Sequence, residues 1–230
     1  MIFRQFYDAD SSTYTYLLAD QETRQAVLID PVREQIERDL GQLRDLALTL
    51  SYVLDTHTHA DHVTAAGLLR TRTGAKTVAG PSAAPCADLH VSDGDELRVG
   101  KLRIRTIATP GHTDDSVSYL VGDRVFTGDA LLIRAAGRTD FQNGSAQKLY
   151  ESITHKLFAL PDATEVYPGH DYRGLTVSTI GEEKRFNARV ANRSCDEFVE
   201  VMGALNLPKP KRIEEAVPAN RACGMQESVP

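Results

Sequence analysis

Thr56-His57-Thr58-His59-Ala60-Asp61-His62 sets four potential metal ligands within six positions, directly after Tyr52-Val53-Leu54, a run that predicts a strand. The chain holds seven histidines. Three stand here and two more in Pro110-Gly111-His112 and Pro168-Gly169-His170, which leaves His90 and His155 outside the pattern. Neutral imidazole and carboxylate suit zinc, iron and related ions. Titratable groups packed this tightly need a shared charge to compensate them, so the stretch predicts a metal site.

Outward from that stretch, every ligand candidate follows a predicted strand. The strand ends are Leu54-Asp55-Thr56, Ile107-Ala108-Thr109, Val125-Phe126-Thr127 and Glu165-Val166-Tyr167, and the third leads into Gly128-Asp129, a close turn followed by a hard oxygen ligand. Four strand ends are expected to converge on one cleft. Short β-rich runs alternate with amphipathic helical patterns, which is an α/β reading. Thr13–Leu18 and Ala26–Ile29 read as strands, and Asp30-Pro31 as a cap followed by proline at the first helical position. Ile36, Leu40, Leu43, Ala47 and Leu50 mark one helix face, and Ala65, Leu68 and Leu69 another. Hairpin signals stand at Asp93-Gly94, Gly100-Lys101 and Gly122-Asp123. Asn143-Gly144-Ser145 opens a helical pattern, Ser194-Cys195-Asp196-Glu197 is a capping box, and from Leu207 onward Pro208, Pro210 and Pro218 predict an extended, packed or trailing tail.

A length of 230 residues predicts one domain over 1–230, with 171–230 a helical and extended segment packing on it. With 25% charged and 41% hydrophobic residues, no apolar run approaches the roughly 20 residues needed to cross a bilayer. The start, Met1-Ile2-Phe3-Arg4-Gln5, has the plan of neither a secretory signal nor a transit peptide, so a cytoplasmic location is expected. A net charge of -6 argues against a broad footprint for nucleic acid. Three cysteines, Cys86, Cys195 and Cys223, form no Cys-x-x-Cys pair and leave one over after any pairing. No disulfide framework is expected, and a reducing compartment fits.

The ligand motif, followed in order by His112, Asp129 and His170, resembles the metallo-β-lactamase superfamily. The resemblance implies an αββα four-layer sandwich with the metal site at one edge of two sheets. In binuclear members, residues matching His57, His59 and His112 hold one metal, those matching Asp61, His62 and His170 the other, and Asp129 bridges. All seven positions are filled. Such a site would make a zinc hydroxide and hydrolyse a thioester, as glyoxalase II does.

Outside the ligands the chain resembles the persulfide dioxygenases, also called sulfur dioxygenases. The stretches that carry this are Gly128–Arg134, Gly137–Gln142, Tyr167–Tyr172, Thr176–Thr179, Leu205–Pro210 and Ala216–Asn220. Only about 60 residues follow His170, fewer than the helical substrate domain of glyoxalase II occupies. This resemblance implies one Fe(II) per chain, held by His57, His112 and Asp129, with positions left open for dioxygen and an anionic sulfur. His59, Asp61, His62 and His170 then orient those ligands around a vacated second metal position. The implied reaction converts glutathione persulfide, dioxygen and water to glutathione and sulfite. A homodimer and a sulfurtransferase supplying the persulfide are the expected partners. A non-catalytic metal or sulfide sensor is a third reading.

Glutathione carries two carboxylates, so Tyr172, Arg173, Lys184 and Arg189 are candidates to bind it, Arg189 first because its planar fork grips a carboxylate at two points. Arg138 and Asp140 are expected to pair and hold the loop near the metal. Cys223 stands in a tail that the family resemblance implies folds back toward the site, which makes it either an inert thiol or a candidate for the substrate channel, while Cys86 and Cys195 read as packing or surface residues.

Overall fold

The computed structural model describes residues 1–225. The chain falls into two compact units: 1–91, 96–104 and the described residues from 209 make the first, 92–95 and 105–208 the second. The expected C-terminal segment 171–230 is divided between them, and 226–230 lie outside the described residues.

The first unit opens with β1 (Ile2–Asp8), β2 (Thr13–Ala19) and β3 (Gln25–Ile29), then α1 (Ile36–Asp45), β4 (Thr49–Leu54), α2 (Ala66–Thr73), β5 (Lys76–Ala79), β6 (Leu89–His90) and β7 (Glu96–Val99). One six-stranded sheet runs β1-β2-β3-β4-β5-β6. Its first three strands are an antiparallel meander, and β3 to β6 run parallel, with α1 and α2 as crossovers. Leu17, Leu28, Val53 and Leu69 pack with Ile36 and Leu43 under those helices. β2 is buried at every position, the pattern of a strand covered on both faces.

Two sequence expectations are corrected here. The helix read through Leu50 ends at Asp45, because Ala47 takes a left-handed conformation (φ 50°) and the chain turns into β4. Leu50 is buried from a strand, and its distance from Leu43 imitates helical spacing. Asp30, read as a helix cap, is itself left-handed (φ 50°), and the first helical turn begins only at Arg33.

Asp39 falls on the buried face of α1 with Ile36 and Leu43. Arg38 Nε donates to its Oδ1 (2.8 Å), while Oδ2 is buried with no hydrogen-bond partner among the described residues. Burial pushes its carboxyl up to about 6, Arg38 only partly opposing. A raised folded pKa means that this stability is complete below about pH 4 and lost as pH rises through about 6. Asp39→Asn is therefore expected to match the wild type at pH 4 and to exceed it by roughly 2–3 kcal/mol above pH 6, read from urea midpoints across that range. A difference that does not change with pH would contradict this.

The second unit contains most of β8 (Leu102–Ala108), then β9 (Val117–Val121), β10 (Arg124–Gly128), α3 (Ala146–Glu151), a π-helical turn over Ser152–Leu157, β11 (Glu165–Pro168), β12 (Ser178–Thr179), α4 (Ile180–Phe186) and α5 (Cys195–Gly203). Its strands run β12-β11-β10-β9-β8. Gly122-Asp123 turns β9 into antiparallel β10 as expected, whereas β10 and β11 are parallel and joined through α3. Ser145 caps α3, and Ser194 with Glu197 forms the expected capping box on α5. Leu131, Leu149, Ile153, Val166, Ile180 and Phe198 are the middle of this unit's core, all 0% exposed.

Of the extended, packed or trailing readings of the tail, the packed one holds. Beyond Pro210 it forms α6 (Ile213–Arg221), which returns to the first unit with Pro218 inside the helix. Ala216 and Ala219 pack there on Val63. Just past α6, Cys223 is disulfide-bonded to Cys86, with 6.0 Å between their Cα atoms. This corrects three expectations: that no disulfide forms, that Cys86 is ordinary packing, and that Cys223 offers a thiol to a substrate channel. An odd cysteine count says that one is left over and nothing about the others. The free one is Cys195. The disulfide also removes the cysteine argument for a reducing compartment.

Candidate metal centre

In the first unit the ligand loop leaves β4 and is held by Asp30, which sequence reasoning missed as a functional residue. Thr56 N–H donates to Asp30 Oδ1 (2.7 Å) and the Thr56 hydroxyl to Asp30 Oδ2 (2.8 Å). With its proton so engaged, Thr56 Oγ1 is left to accept from His57 Nδ1 at 3.0 Å. That fixes the tautomer of His57, making Nε2 the lone-pair nitrogen a metal needs.

His59 Nε2 lies 3.1 Å from Asp30 Oδ1, and the side chain is fully buried. Burial alone would push its pKa down, but the Asp30 carboxylate outweighs this and lifts it to about 9. Its Nδ1 is buried with no hydrogen-bond partner among the described residues, which is costly unless a cation occupies the site. His62 Nδ1 is 2.8 Å from Asp61 Oδ2 and 3.2 Å from Thr13 Oγ1, with Ser11 and Asp8 completing the chain behind it. His59, Asp61 and His62 each offer a ligand atom, all within 4.8 Å of one another. The rings of His57, His59 and His62 follow one another at centroid distances of 4.1 and 4.3 Å. Donors of this kind at this spacing fit a divalent ion.

In the second unit β8, β10 and β11 deliver His112, Asp129 and His170. His112 Nδ1 lies 2.6 Å from the Arg138 carbonyl, and a carbonyl can only accept, so Nδ1 carries the proton and Nε2 the lone pair. His170 Nδ1 sits 2.7 Å from Asp129 Oδ1, which turns Oδ2 toward His112 Nε2 at 3.7 Å. Two lone-pair atoms at that separation match two ligands each about 2.1 Å from one ion. Gly169 permits the arrangement, since a Cβ there would come within 2.8 Å of Asp129 Oδ1.

Arg138 and Asp140 do pair, at two points of 2.7 Å each, and Arg138 also donates to the Pro208 carbonyl (2.6 Å) and lies over Phe141. Its hydrogen bonds hold the Asp140 carboxyl below the usual carboxylate range. The pair thus steadies the same residue whose carbonyl fixes the tautomer of His112.

Of the candidates for glutathione, Tyr172, Arg173 and Arg189 line one cavity of ≈ 330 Å³ in the second unit, beside His170 and Arg134. Lys184 does not line it; its ammonium pairs with Asp162 at 2.6 Å. Arg173 donates to the Ile133 carbonyl, and Arg134 is committed to Glu182 and to the fully buried Glu183. The guanidinium of Arg189 has no hydrogen bond or ion pair among the described residues. Exposed Tyr172 stacks on His170, ring centroids 6.0 Å apart.

The metallo-beta-lactamase superfamily profile matches this chain over residues 9–86 and 85–170. The chain is 50% identical over 229 residues to "Persulfide dioxygenase ETHE1, mitochondrial" of Homo sapiens, covering 98% of this chain and 90% of that protein. The crystal structure of ETHE1 from Myxococcus xanthus superposes with a TM-score of 0.97 at 64% identity, covering 97% of this chain and 100% of that one. A metallo-beta-lactamase from Staphylococcus aureus gives a TM-score of 0.88 at 26% identity, over 96% of this chain and 72% of that one. The two mixed sheets with their helices are accordingly the αββα fold expected from the sequence. From its near-complete alignment with ETHE1 proteins, this chain belongs to the persulfide dioxygenase family of the metallo-β-lactamase superfamily.

Proposed function

We propose that this chain is a persulfide dioxygenase that converts glutathione persulfide, dioxygen and water to glutathione and sulfite, using one ferrous ion per chain held by His57, His112 and Asp129. The observation that carries this reading is 50% identity to a persulfide dioxygenase along 98% of the chain. The ligand assignment is supported by the tautomers, since hydrogen bonding from Nδ1 leaves the Nε2 lone pair of both His57 and His112 to bind metal. Ferrous iron, when bound, supplies a redox-active centre with room for dioxygen and sulfur, which zinc does not.

The chain's own residues position and hold. His170 fixes Asp129 through Oδ1, and Arg138 presents the carbonyl that orients His112. His59, Asp61 and His62 keep the shape of a second metal position that stays unfilled, so the one-iron form carries the cost of the unmatched His59 Nδ1. The 330 Å³ cavity receives glutathione, with Arg189 gripping a carboxylate and Tyr172 and Arg173 beside it. Lys184, tied to Asp162, acts at most from the rim. The reading includes a homodimer and a sulfurtransferase that supplies the persulfide. It also retains the cytoplasmic location expected from the sequence; among the described residues no helix is long and apolar enough to cross a membrane.

Metal quantification paired with oxygen uptake on glutathione persulfide, and a glutathione thioester as control, tests the reading. One iron per chain with persulfide-dependent uptake is expected. Two zinc ions with thioester hydrolysis would overturn it, and His59 Nδ1 is where a second ion would first show. Arg189→Ala is expected to raise KM about tenfold or more, as for loss of a charged hydrogen bond, with iron content unchanged. Unaltered kinetics would refute the clamp.

A further inference from the structure

The loop from His57 to Thr64 is largely buried and belongs to no helix or strand, and its backbone pairs only at its end, through the Val32–Thr64 bridge and the Arg33 N–H on the Val63 carbonyl. A side chain from the far end of the sequence holds the part before that. Asn220 Nδ2 donates to the carbonyls of His59 (2.9 Å) and His62 (2.8 Å), and its Oδ1 accepts from Thr64 N–H (2.8 Å). Those two carbonyls bracket Asp61. Asn220 is itself buried, and the tail around it is fitted to the same segment. Gly67 N–H donates to the Cys223 carbonyl (2.8 Å), and a Cβ at Gly224 would lie 2.1 Å from the Thr64 carbonyl.

We propose that Asn220 is a positioning residue of the metal centre, holding in place the backbone that runs from the proposed ligand His57 through His59, Asp61 and His62. Only a side-chain amide offers two donors and an acceptor in one plane. Aspartate would turn an acceptor toward two carbonyls, and alanine would remove all three hydrogen bonds. The tail brings Asn220 to the loop, and the disulfide from Cys86 keeps it there. The inference rests on the metal-binding part of the proposed function and not on its substrate.

The test uses the full chain, its metal removed and returned anaerobically. Fe(II) and Co(II) affinities are measured by chelator competition, with the Co(II) absorption spectrum as a direct report on ligand geometry. Asn220→Asp and Asn220→Ala are expected to weaken both metals about 10–100-fold, the usual loss when an orienting partner is removed, and to shift the Co(II) bands. Phe198→Leu, in the core of the second unit, is the control for general destabilisation. It is expected to lower the melting temperature while leaving affinity and spectrum unchanged. If neither variant folds, Asn220→Ser, which fits the space and keeps one donor, carries the same test with a loss of about three- to tenfold. Wild-type affinity and spectrum in a folded Asn220 variant would overturn the inference, as would a Phe198→Leu variant that weakens metal binding equally. A wild-type protein that binds no metal would instead overturn the proposed function.

Discussion

Asp129→Ala is expected to leave a folded protein with almost no iron and at least about a thousandfold less persulfide-dependent oxygen uptake, well beyond the 10–100-fold typical of an outer partner. Asp129 supplies the anionic ligand of the proposed set, and its two oxygens have different work. Oδ1 faces His170 Nδ1 at 2.7 Å and Oδ2 faces His112 Nε2 at 3.7 Å. The paired variant His170→Gln leaves the carboxylate but releases its orientation, so about 10–100-fold in iron affinity is expected there. Iron per chain by elemental analysis and oxygen uptake, read beside the melting temperature, separate the two. An Asp129→Ala protein that keeps stoichiometric iron and turnover would remove Asp129 from the ligand set. Equal losses in both variants would make His170 a ligand in its own right.

Cys86→Ser is expected to cause the largest loss of stability of any change considered. The disulfide joins residues 137 apart, and closing so long a loop in the unfolded chain corresponds to about 5 kcal/mol by chain entropy alone. For a protein of this size that is a fall in melting temperature of roughly 10–15 °C. The same fall should follow from reductant added to the wild type and be absent on adding it to Cys86→Ser. Thiol counting in denaturant checks the premise independently, since only Cys195 should react before reduction. A sample with one reactive thiol whose melting temperature ignores reductant would show that the contacts of Asn220, Cys223 and Gly224 hold the tail unaided.

The parts of this fold legible in sequence were those written in local chemistry. The Gly122 turn, the Ser194 capping box and the clustered ligand motif each announce themselves within a few residues and stand where expected, whereas Asp93-Gly94, read as a hairpin, instead joins β6 of one sheet to β7 of the other. What escaped depends on distance along the chain. Asp30 looks like a helix cap because it precedes proline, yet its carboxylate is committed to Thr56 and His59, 26 and 29 residues later. Asn220 sits in a proline-spaced stretch that reads as extended, packed or trailing, and nothing local says that its amide meets carbonyls 161 and 158 residues earlier. Cys86 and Cys223 share no spacing rule, so parity alone could not pair them. The cavity residues differ again: the planar fork of Arg189 ranks it first from sequence, but only the structure shows that Lys184 is tied to Asp162 and does not line the cavity.

The return of α6 to the first unit also sets an order of events during synthesis. Residues 105–208, the bulk of the second unit, are made before 220 exists. At about 5–20 residues per second, that leaves the His59 and His62 carbonyls waiting on the order of ten seconds for their partner. A chain broken off before Asn220 would still hold the apolar residues of both larger cores, Leu17 and Leu28 in one and Leu149 and Phe198 in the other. It would therefore collapse around both cores, while the loop that has to receive the metal lacked its last constraint and the chain lacked its disulfide. The ligand loop is thus among the first parts of the chain to be translated and among the last to be finished.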